Sequence, residues 1–228
     1  MLKKDKIKNI GVWPNKYFKY RQMNDPLRIA QYKIDAIFIN KFIKKNLDKV
    51  NLCDVGCGTG EFLRCLKLNA NLYGMETNLL AKKKASNFIS FNKNIFTEKN
   101  YFDLVIFRGV IQHVDNPFYM IKKSYESLKI GGYIIFLATP NASSILYRIK
   151  QNLPFLNDKY NFYIPSEKTL TNLLKNFSFK ICSVEYPYWN TPYRNFLKDH
   201  IFFFLNLFSR NFYKYAFWGS SMNICAKK

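Results

Sequence analysis

The chain has 228 residues, 48% of them hydrophobic, and a formal charge of +21. That length suits one domain with a full core, and the apolar content excludes a disordered chain. No apolar h-region follows the basic start MLKKDKIKN, and no run reaches the ~20 apolar residues that span a bilayer, so neither a signal peptide nor a transmembrane helix is expected.

In chain order, residues 1–26 are mixed, with aromatics at Trp13, Tyr17, Phe18 and Tyr20. Over 27–45, Leu27, Ala30, Ile34, Ile37, Phe38 and Phe42 recur at helical spacing, which predicts a helix covering the sheet edge or a ligand. An alternating series follows. Strands are expected at 50–55, 71–75, 88–91, 104–107 and 133–138, with helices at 60–68, 78–85 and 117–128 between them. Asn116 is placed to cap the last of these helices ahead of Pro117, and Gly131-Gly132 is expected to break the chain before the fifth strand. Such alternation implies a parallel sheet with helices on both faces. Beyond Thr139-Pro140-Asn141 an inserted helix and loop are expected over 142–165. A helix over 167–176 should follow, with Ser166 and Thr169 at capping-box spacing. A strand at 179–185, an aromatic helical stretch over 193–217 and a closing strand at 222–225 complete the chain. No linker rich in Pro, Gly or Ser divides it. The expectation is one unit, with 1–45 as a helical cover, 46–141 as a ligand-binding core, and 142–228 as a cap with closing strands.

The charge invites a nucleic-acid partner. Its composition argues otherwise: 29 of the 36 basic residues are Lys and only 7 are Arg, whose planar fork suits phosphate. Lys, Asn, Ile, Phe and Tyr all have AT-rich codons, and the basic residues are scattered apart from Lys82, Lys83 and Lys84. Compositional bias and solubility account for the charge; the alternative is attraction to an anionic substrate or membrane surface. The five cysteines form no CxxC pair and only two His are present, which predicts reduced thiols in the cytosol and no His-built metal site.

The chemistry concentrates in LCDVGCGTGEFL, Leu52 to Leu63. An apolar strand runs into Gly56, Gly58 and Gly60, and a helix opens at once. Glycines allow positive φ and close backbone approach, and a helix start offers free N–H groups. In open α/β sheets, ligands sit beyond the carboxyl ends of the strands. A bare glycine loop is shared with dinucleotide enzymes. The preceding Asp54 is what discriminates, because a carboxylate suits a cationic ligand and repels a pyrophosphate. Glu76, 22 positions later at the end of the second strand, can accept hydrogen bonds from two ribose hydroxyls. The plainer alternative is that Glu76 caps the next helix.

DVGCGTG, the acidic residue in YGMETN, YFDLVIFRGVIQHVDNP and SLKIGGYIIFLATPN together resemble class I S-adenosylmethionine (SAM)-dependent methyltransferases. Within that class they look like the small bacterial enzymes that include ubiquinone-biosynthesis O-methyltransferases and glycan-modifying methyltransferases. The match covers roughly residues 50–141, with a weaker echo in YIPSEKTLTNLLKNFSFK. The resemblance implies a Rossmann-like α/β fold with a seven-stranded, mostly parallel sheet whose antiparallel last strand inserts between the fifth and sixth. It implies SAM as cofactor, held by the loop of Asp54, Gly56, Cys57, Gly58 and Gly60, with Glu76 on the ribose. Asn94 stands near the adenine, where the family often has an acidic residue. Phe107 and Arg108 would face the methionine part of SAM, and Arg108 is unusual there. It can pair with the cofactor carboxylate, hold an acidic substrate or stay solvated.

Methyl transfer from a sulfonium is an in-line displacement that gains most from orientation, while a hydroxyl acceptor also benefits from a general base. His113, in VIQHVDNP, stands where similar enzymes carry a His near the acceptor; the alternative is a His that packs at a helix start. Positions where some ubiquinone-branch enzymes bind a divalent metal correspond to Gly109 and Gln112, which lack carboxylates, so no metal is expected. FRGV replaces the (D/N/S)PP(Y/F/W) motif of base-amino methylation, and no Cys occurs between 65 and 182 to serve base-carbon methylation. The expected acceptor is therefore a small molecule or glycan, with a sugar hydroxyl favoured and no specific nucleic-acid partner. Alternatives are an RNA-directed methyltransferase and a non-catalytic SAM-fold binding module. Tyr160, Asn161, Phe162, Tyr163, Tyr186, Tyr188, Trp189 and Tyr193 offer rings with polar tips that suit a sugar, or ordinary packing. FLKDHIFFFLNLFSRNFYKYAFW reads either as lid packing or as an amphipathic helix on a membrane. The expected location is the cytoplasm, with peripheral contact at the inner face of the membrane on the second reading.

Overall fold

A computed structural model describes residues 13–20, 25–43, 49–153, 156, 160–208 and 219–228. Its six-stranded sheet consists of β1 (Val50–Val55), β2 (Ala70–Met75), β3 (Phe102–Arg108), β4 (Leu128–Pro140), β5 (Lys180–Glu185) and β6 (Ser221–Lys227). The order is β2-β1-β3-β4-β6-β5. Five strands run parallel, and β6 lies antiparallel between β4 and β5. The expected insertion of a reversed last strand is therefore observed. The seventh strand is not: 88–91 contributes one isolated bridge, Ser90 to Tyr73. Four residues at a sheet margin, with Phe88 and Ile89 packed inward against the glycine loop, do not extend that bridge into a ladder.

The helices are α1 (Asn15–Tyr20), α2 (Pro26–Asn40), α3 (Glu61–Cys65), α4 (Leu79–Ala85), α5 (Pro117–Ser127), α6 (Ile145–Lys150), α7 (Glu167–Asn176) and α8 (Phe196–Phe208). Their caps follow local chemistry. Asp25, Asn78, Asn116 and Ser144 each accept from a backbone N–H three residues on, and Ser166 forms the full capping box with Thr169. The helix expected over 60–68 stops at Cys65, because Leu66 turns extended. The expected break at Gly131-Gly132 is instead a register shift inside β4, with Gly131 at φ +81°. Of the aromatic stretch 193–217, residues 209–217 lie outside the described residues.

The period-2 alternation of the strands sorts two cores onto the two sheet faces. Cys53, Val55, Val105, Phe107, Ile134 and Phe136 pack with Ile121 of α5 and Leu170 and Leu174 of α7. Leu52, Leu104, Ile106, Ile135 and Leu137 pack with α2 (Tyr32, Phe38, Ile39) and α3 (Phe62, Leu63). Fully covered strands of this kind read as continuous apolar runs, which is why FDLVIFR showed no alternation.

Candidate cofactor site

β1 delivers Asp54 to the carboxyl edge of the sheet, and the chain then turns through Gly56, Gly58 and Gly60, all at positive φ. At Gly56 a Cβ would sit 2.6 Å from Val110 Cγ2, and at Gly60 it would sit 2.7 Å from Ile89 Cδ1. Only glycine meets both the dihedral and the space there. Gly56 N and Cys57 N donate to Met75 O at 2.8 and 3.1 Å, which ties the loop to the end of β2. Glu76 follows directly. Its Oε2 accepts from Gly58 N at 2.9 Å and its Oε1 from Asn78 N at 2.7 Å. Glu76 thus braces both the glycine loop and Asn78, and the cap of α4 is Asn78 rather than Glu76.

Asp54 is fully enclosed, and its Oδ1 has no hydrogen-bond partner among the described residues. Burial pushes its carboxyl up to about 8, against the pull of Arg108 and with further help from Glu76. Such an atom in a cavity wall is a demand for a donor.

The alternation along β3 decides between Phe107 and Arg108. Phe107 is fully buried on the α5 face, stacked on Phe136 at 5.1 Å, and its side chain does not line the cavity. The expectation that Phe107 faces the ligand is corrected accordingly. Arg108 points the other way. Its Nε donates to Asp35 Oδ2 at 2.8 Å, and its guanidinium lies over the Tyr32 ring at 4.3 Å. It lines the cavity while paired, so the solvated alternative falls away.

His113 closes a short 3-10 turn, Ile111–His113, beyond β3. Its Nδ1 lies 2.7 Å from Tyr160 O, a pure acceptor, so Nδ1 carries the proton and Nε2 the lone pair. Gln112 Nε2 lies 3.2 Å from that Nε2, consistent with donation to it. Burial lowers the imidazole pKa, only partly offset by the Tyr160 carbonyl.

These groups share one cavity of about 600 Å³, within the size range of small-molecule sites. Asp54, Gly56, Cys57, Gly58, Glu76, Asn94, Arg108 and His113 all line it; Gly60 supports the loop from behind. Asn94 spends its side-chain oxygen on Phe96 N, at 2.8 Å. Trp13 and Tyr17 also line the cavity and were not singled out from the sequence as site residues. Trp13 stacks on Tyr160 at 4.7 Å and meets His113 edge-on at 5.7 Å, while its carbonyl accepts from Asn78. The N-terminal aromatics were the available signal. The eight C-terminal aromatic and polar residues do not gather here as one set. Tyr188 bonds Asp199 and Tyr186 bonds Glu167, whereas Tyr160 meets the cavity-lining Trp13 and His113 and Tyr163 packs in the cluster that includes Val110 and Val114.

Two acidic side chains flank the glycine loop, Asp54 with an unpartnered oxygen and Glu76 at the end of β2; a ligand with a sulfonium, an ammonium and a ribose answers both. Fold and site together define a class I SAM-dependent methyltransferase. The chain belongs to the methyltransferase-domain family, whose model matches residues 27–184. A ubiquinone biosynthesis O-methyltransferase of Pelagibacter ubique is 28% identical over 141 residues, 56% of this chain and 58% of that protein. The chain therefore spans little more than half the length of that relative. A tRNA U34 carboxymethyltransferase of Helicobacter pylori is 26% identical over 178 residues, 68% of each chain. A solved SAM-dependent methyltransferase from Archaeoglobus fulgidus superposes with a TM-score of 0.65 at 18% identity, covering 93% of this chain and 99% of that one.

Proposed function

We propose that the protein methylates a hydroxyl of a small molecule or glycan, with His113 as the general base. SAM supplies an electrophilic methyl on a sulfonium with a good leaving group. The chain's residues hold and orient it. Asp54 answers the cationic methionine end with its unpartnered oxygen. Glu76 keeps lone pairs beyond its two backbone bonds for the ribose hydroxyls. The backbone from Gly56 to Gly60 allows close approach, Asn94 on the cavity wall would meet the adenine, and Arg108 would meet a carboxylate of cofactor or acceptor. The acceptor hydroxyl's proton would pass to His113 Nε2 as the methyl moves from sulfur to oxygen, the methyl–sulfur bond breaking to leave S-adenosylhomocysteine.

One observation carries this reading: His113 shares the cavity of the glycine loop, with Nδ1 committed to a carbonyl and Nε2 in lone-pair form. The test uses SAM with an isotopically labelled methyl group, offered with phenolic acceptors, sugar nucleotides or total transfer RNA. Labelled O-methyl product in the small-molecule fraction supports the proposal. Label on nitrogen, or only on RNA, overturns it.

RNA is the second reading. The likeness to tRNA U34 carboxymethyltransferases and the charge of +21 favour it. The scattered Lys and the small cavity favour the first.

A further inference from the structure

Helix α8 is amphipathic the wrong way round for a protein surface in water. Its sequence is FLKDHIFFFLNLF. Two polar residues, Asp199 and Asn206, are its buried positions, 2% and 0% exposed. Asp199 accepts from Tyr188 Oη at 3.0 Å and from Asn195 N at 2.8 Å, so the inward polar face is built rather than accidental. Leu197, Ile201, Phe204, Leu205 and Phe208 face outward, from 43% exposed at Leu205 to 88% at Phe208. They fall at i, i+4, i+7, i+8 and i+11, a single stripe opposite Asp199 and Asn206. Helix α6 packs against α8 and exposes Ile145 and Ile149, again at i, i+4.

A stripe of this kind needs a cover, and the surrounding charge says which. From Tyr186 to the last residue, Asp199 is the single acidic side chain in the sequence, and it is buried. Arg194, Lys198, Arg210 and Lys214 are the basic residues between Tyr186 and β6; Lys227 and Lys228 lie at the far end of β6, beside Tyr133 and Leu128. A second copy of the chain would bring another +21 against the first. An anionic lipid surface attracts the basic flank and accepts the apolar stripe. No described helix is long and apolar enough to cross a membrane, so the geometry is one of lying on the surface.

We infer that α8 docks the protein onto an anionic bilayer surface, with Leu197, Ile201, Phe204, Leu205 and Phe208 entering the interface.

Vesicle co-sedimentation of the full chain tests this. Vesicles of equal parts phosphatidylcholine and phosphatidylglycerol should bind about tenfold or more tightly than vesicles of phosphatidylcholine alone, and added salt should weaken binding. The triple variant Leu197→Ser, Ile201→Ser, Phe204→Ser should lose most of the binding while still binding S-adenosylhomocysteine in calorimetry. If that variant has lost the nucleoside ligand too, Phe208→Ser alone, at the most exposed position, should weaken vesicle binding severalfold. Equal binding to both vesicle types, or undiminished binding by folded variants, overturns the inference. So does a dimer in light scattering that the triple variant dissolves while vesicle binding is absent, since the stripe would then be covered by a second copy.

Discussion

Arg108 at the end of β3 donates from Nε to Asp35 of α2 at 2.8 Å, across the wall of the cavity. Asp35 is 1% exposed, and its other oxygen accepts from Gln31 Nε2. Gln31 in turn accepts from Thr191 Oγ1 of the segment before α8. A line of hydrogen bonds thus runs from the cofactor cavity to the C-terminal cap. Removing one end leaves a charge buried without its partner. Arg108→Met should destabilise the protein by about 3 kcal/mol, the lower end for a buried pair broken on one side because Arg108 retains some contact with water. Adding Asp35→Asn should restore part of that loss. Urea denaturation of both single variants and the double variant measures the coupling, expected at about 1–3 kcal/mol. Strict additivity would mean the pair contributes nothing.

Asp54 links ligand binding to pH. Its carboxyl is raised to about 8 in the free protein, so the folded state retains a proton that the unfolded chain releases near ~4. Stability of the free protein should therefore fall as pH rises from about 4 to 8. Asp54→Asn removes that penalty and should raise the melting temperature at pH 8, by about 2–4 °C for each kcal/mol relieved. A cationic ligand favours the carboxylate, so SAM should bind more tightly as pH rises toward 8 and level off above it. Calorimetry in buffers of different ionisation heat should detect proton release on binding at pH 7. An Asp54→Asn variant that binds SAM as well as the parent at every pH would remove Asp54 from the site.

The glycine loop, Asp54 and Glu76 were legible because each lies at a strand end, where local chemistry and ligand geometry coincide. The caps at Asn116 and Ser166 were legible for the same local reason. The side that β3 turns to the cavity was not. Both faces of FDLVIFR are covered, so no polar alternation fixes the phase, and Phe107 and Arg108 look equivalent until α2 is in place. The partner of Arg108 lies 73 residues away on a helix, a pairing that no spacing rule carries. The strand at 88–91 failed for a related reason: apolar residues there pack under the glycine loop rather than into a ladder.

Glu76 holds two backbone N–H groups, at Gly58 and Asn78, as well as its proposed ribose role. Glu76→Gln retains an acceptor oxygen, whereas Glu76→Ala frees both donors. Glu76→Ala should weaken SAM binding by roughly 10- to 100-fold, since hydrogen bonds to a charged group are worth about 1.5–3 kcal/mol each. It should also lower the melting temperature, and Glu76→Gln should recover only part of that loss, because its single amide oxygen can accept from one of the two N–H groups while its NH2 faces the other. If calorimetry finds full affinity in folded Glu76→Ala, the side chain only braces the loop.

Weak, salt-sensitive binding is the expectation for nucleic acid. Dispersed Lys gives counterion release without base readout, so affinity for any RNA should fall steeply with salt and differ little between sequences. Filter binding of transfer RNA against a homopolymer, at low and physiological salt, decides this. Selective binding of transfer RNA that survives physiological salt would favour the RNA reading over the small-molecule one.

His113 provides the test of mechanism. Its imidazole lies below the ~6.5 of a free side chain because burial disfavours the cation. A general base works in its neutral form, so turnover should rise with pH below that value and be level through neutrality. His113→Gln preserves a polar side chain of similar reach but cannot take the proton. It should lower turnover by about 10²- to 10⁴-fold for a hydroxyl acceptor, with SAM affinity near that of the parent. The acidic limb of the pH profile should vanish in the variant. The Nδ1 bond to Tyr160 O joins the turn to the 160–162 segment, where Phe162 N also donates to Gln112 O at 2.9 Å. A purely structural His113 would therefore give a different signature: SAM affinity and melting temperature would fall together with turnover. Retained turnover and a retained acidic limb would show that orientation alone suffices, or that another group accepts the proton. Running the assay first with an acceptor whose methylated atom is known to be oxygen separates that outcome from transfer to an already neutral amine.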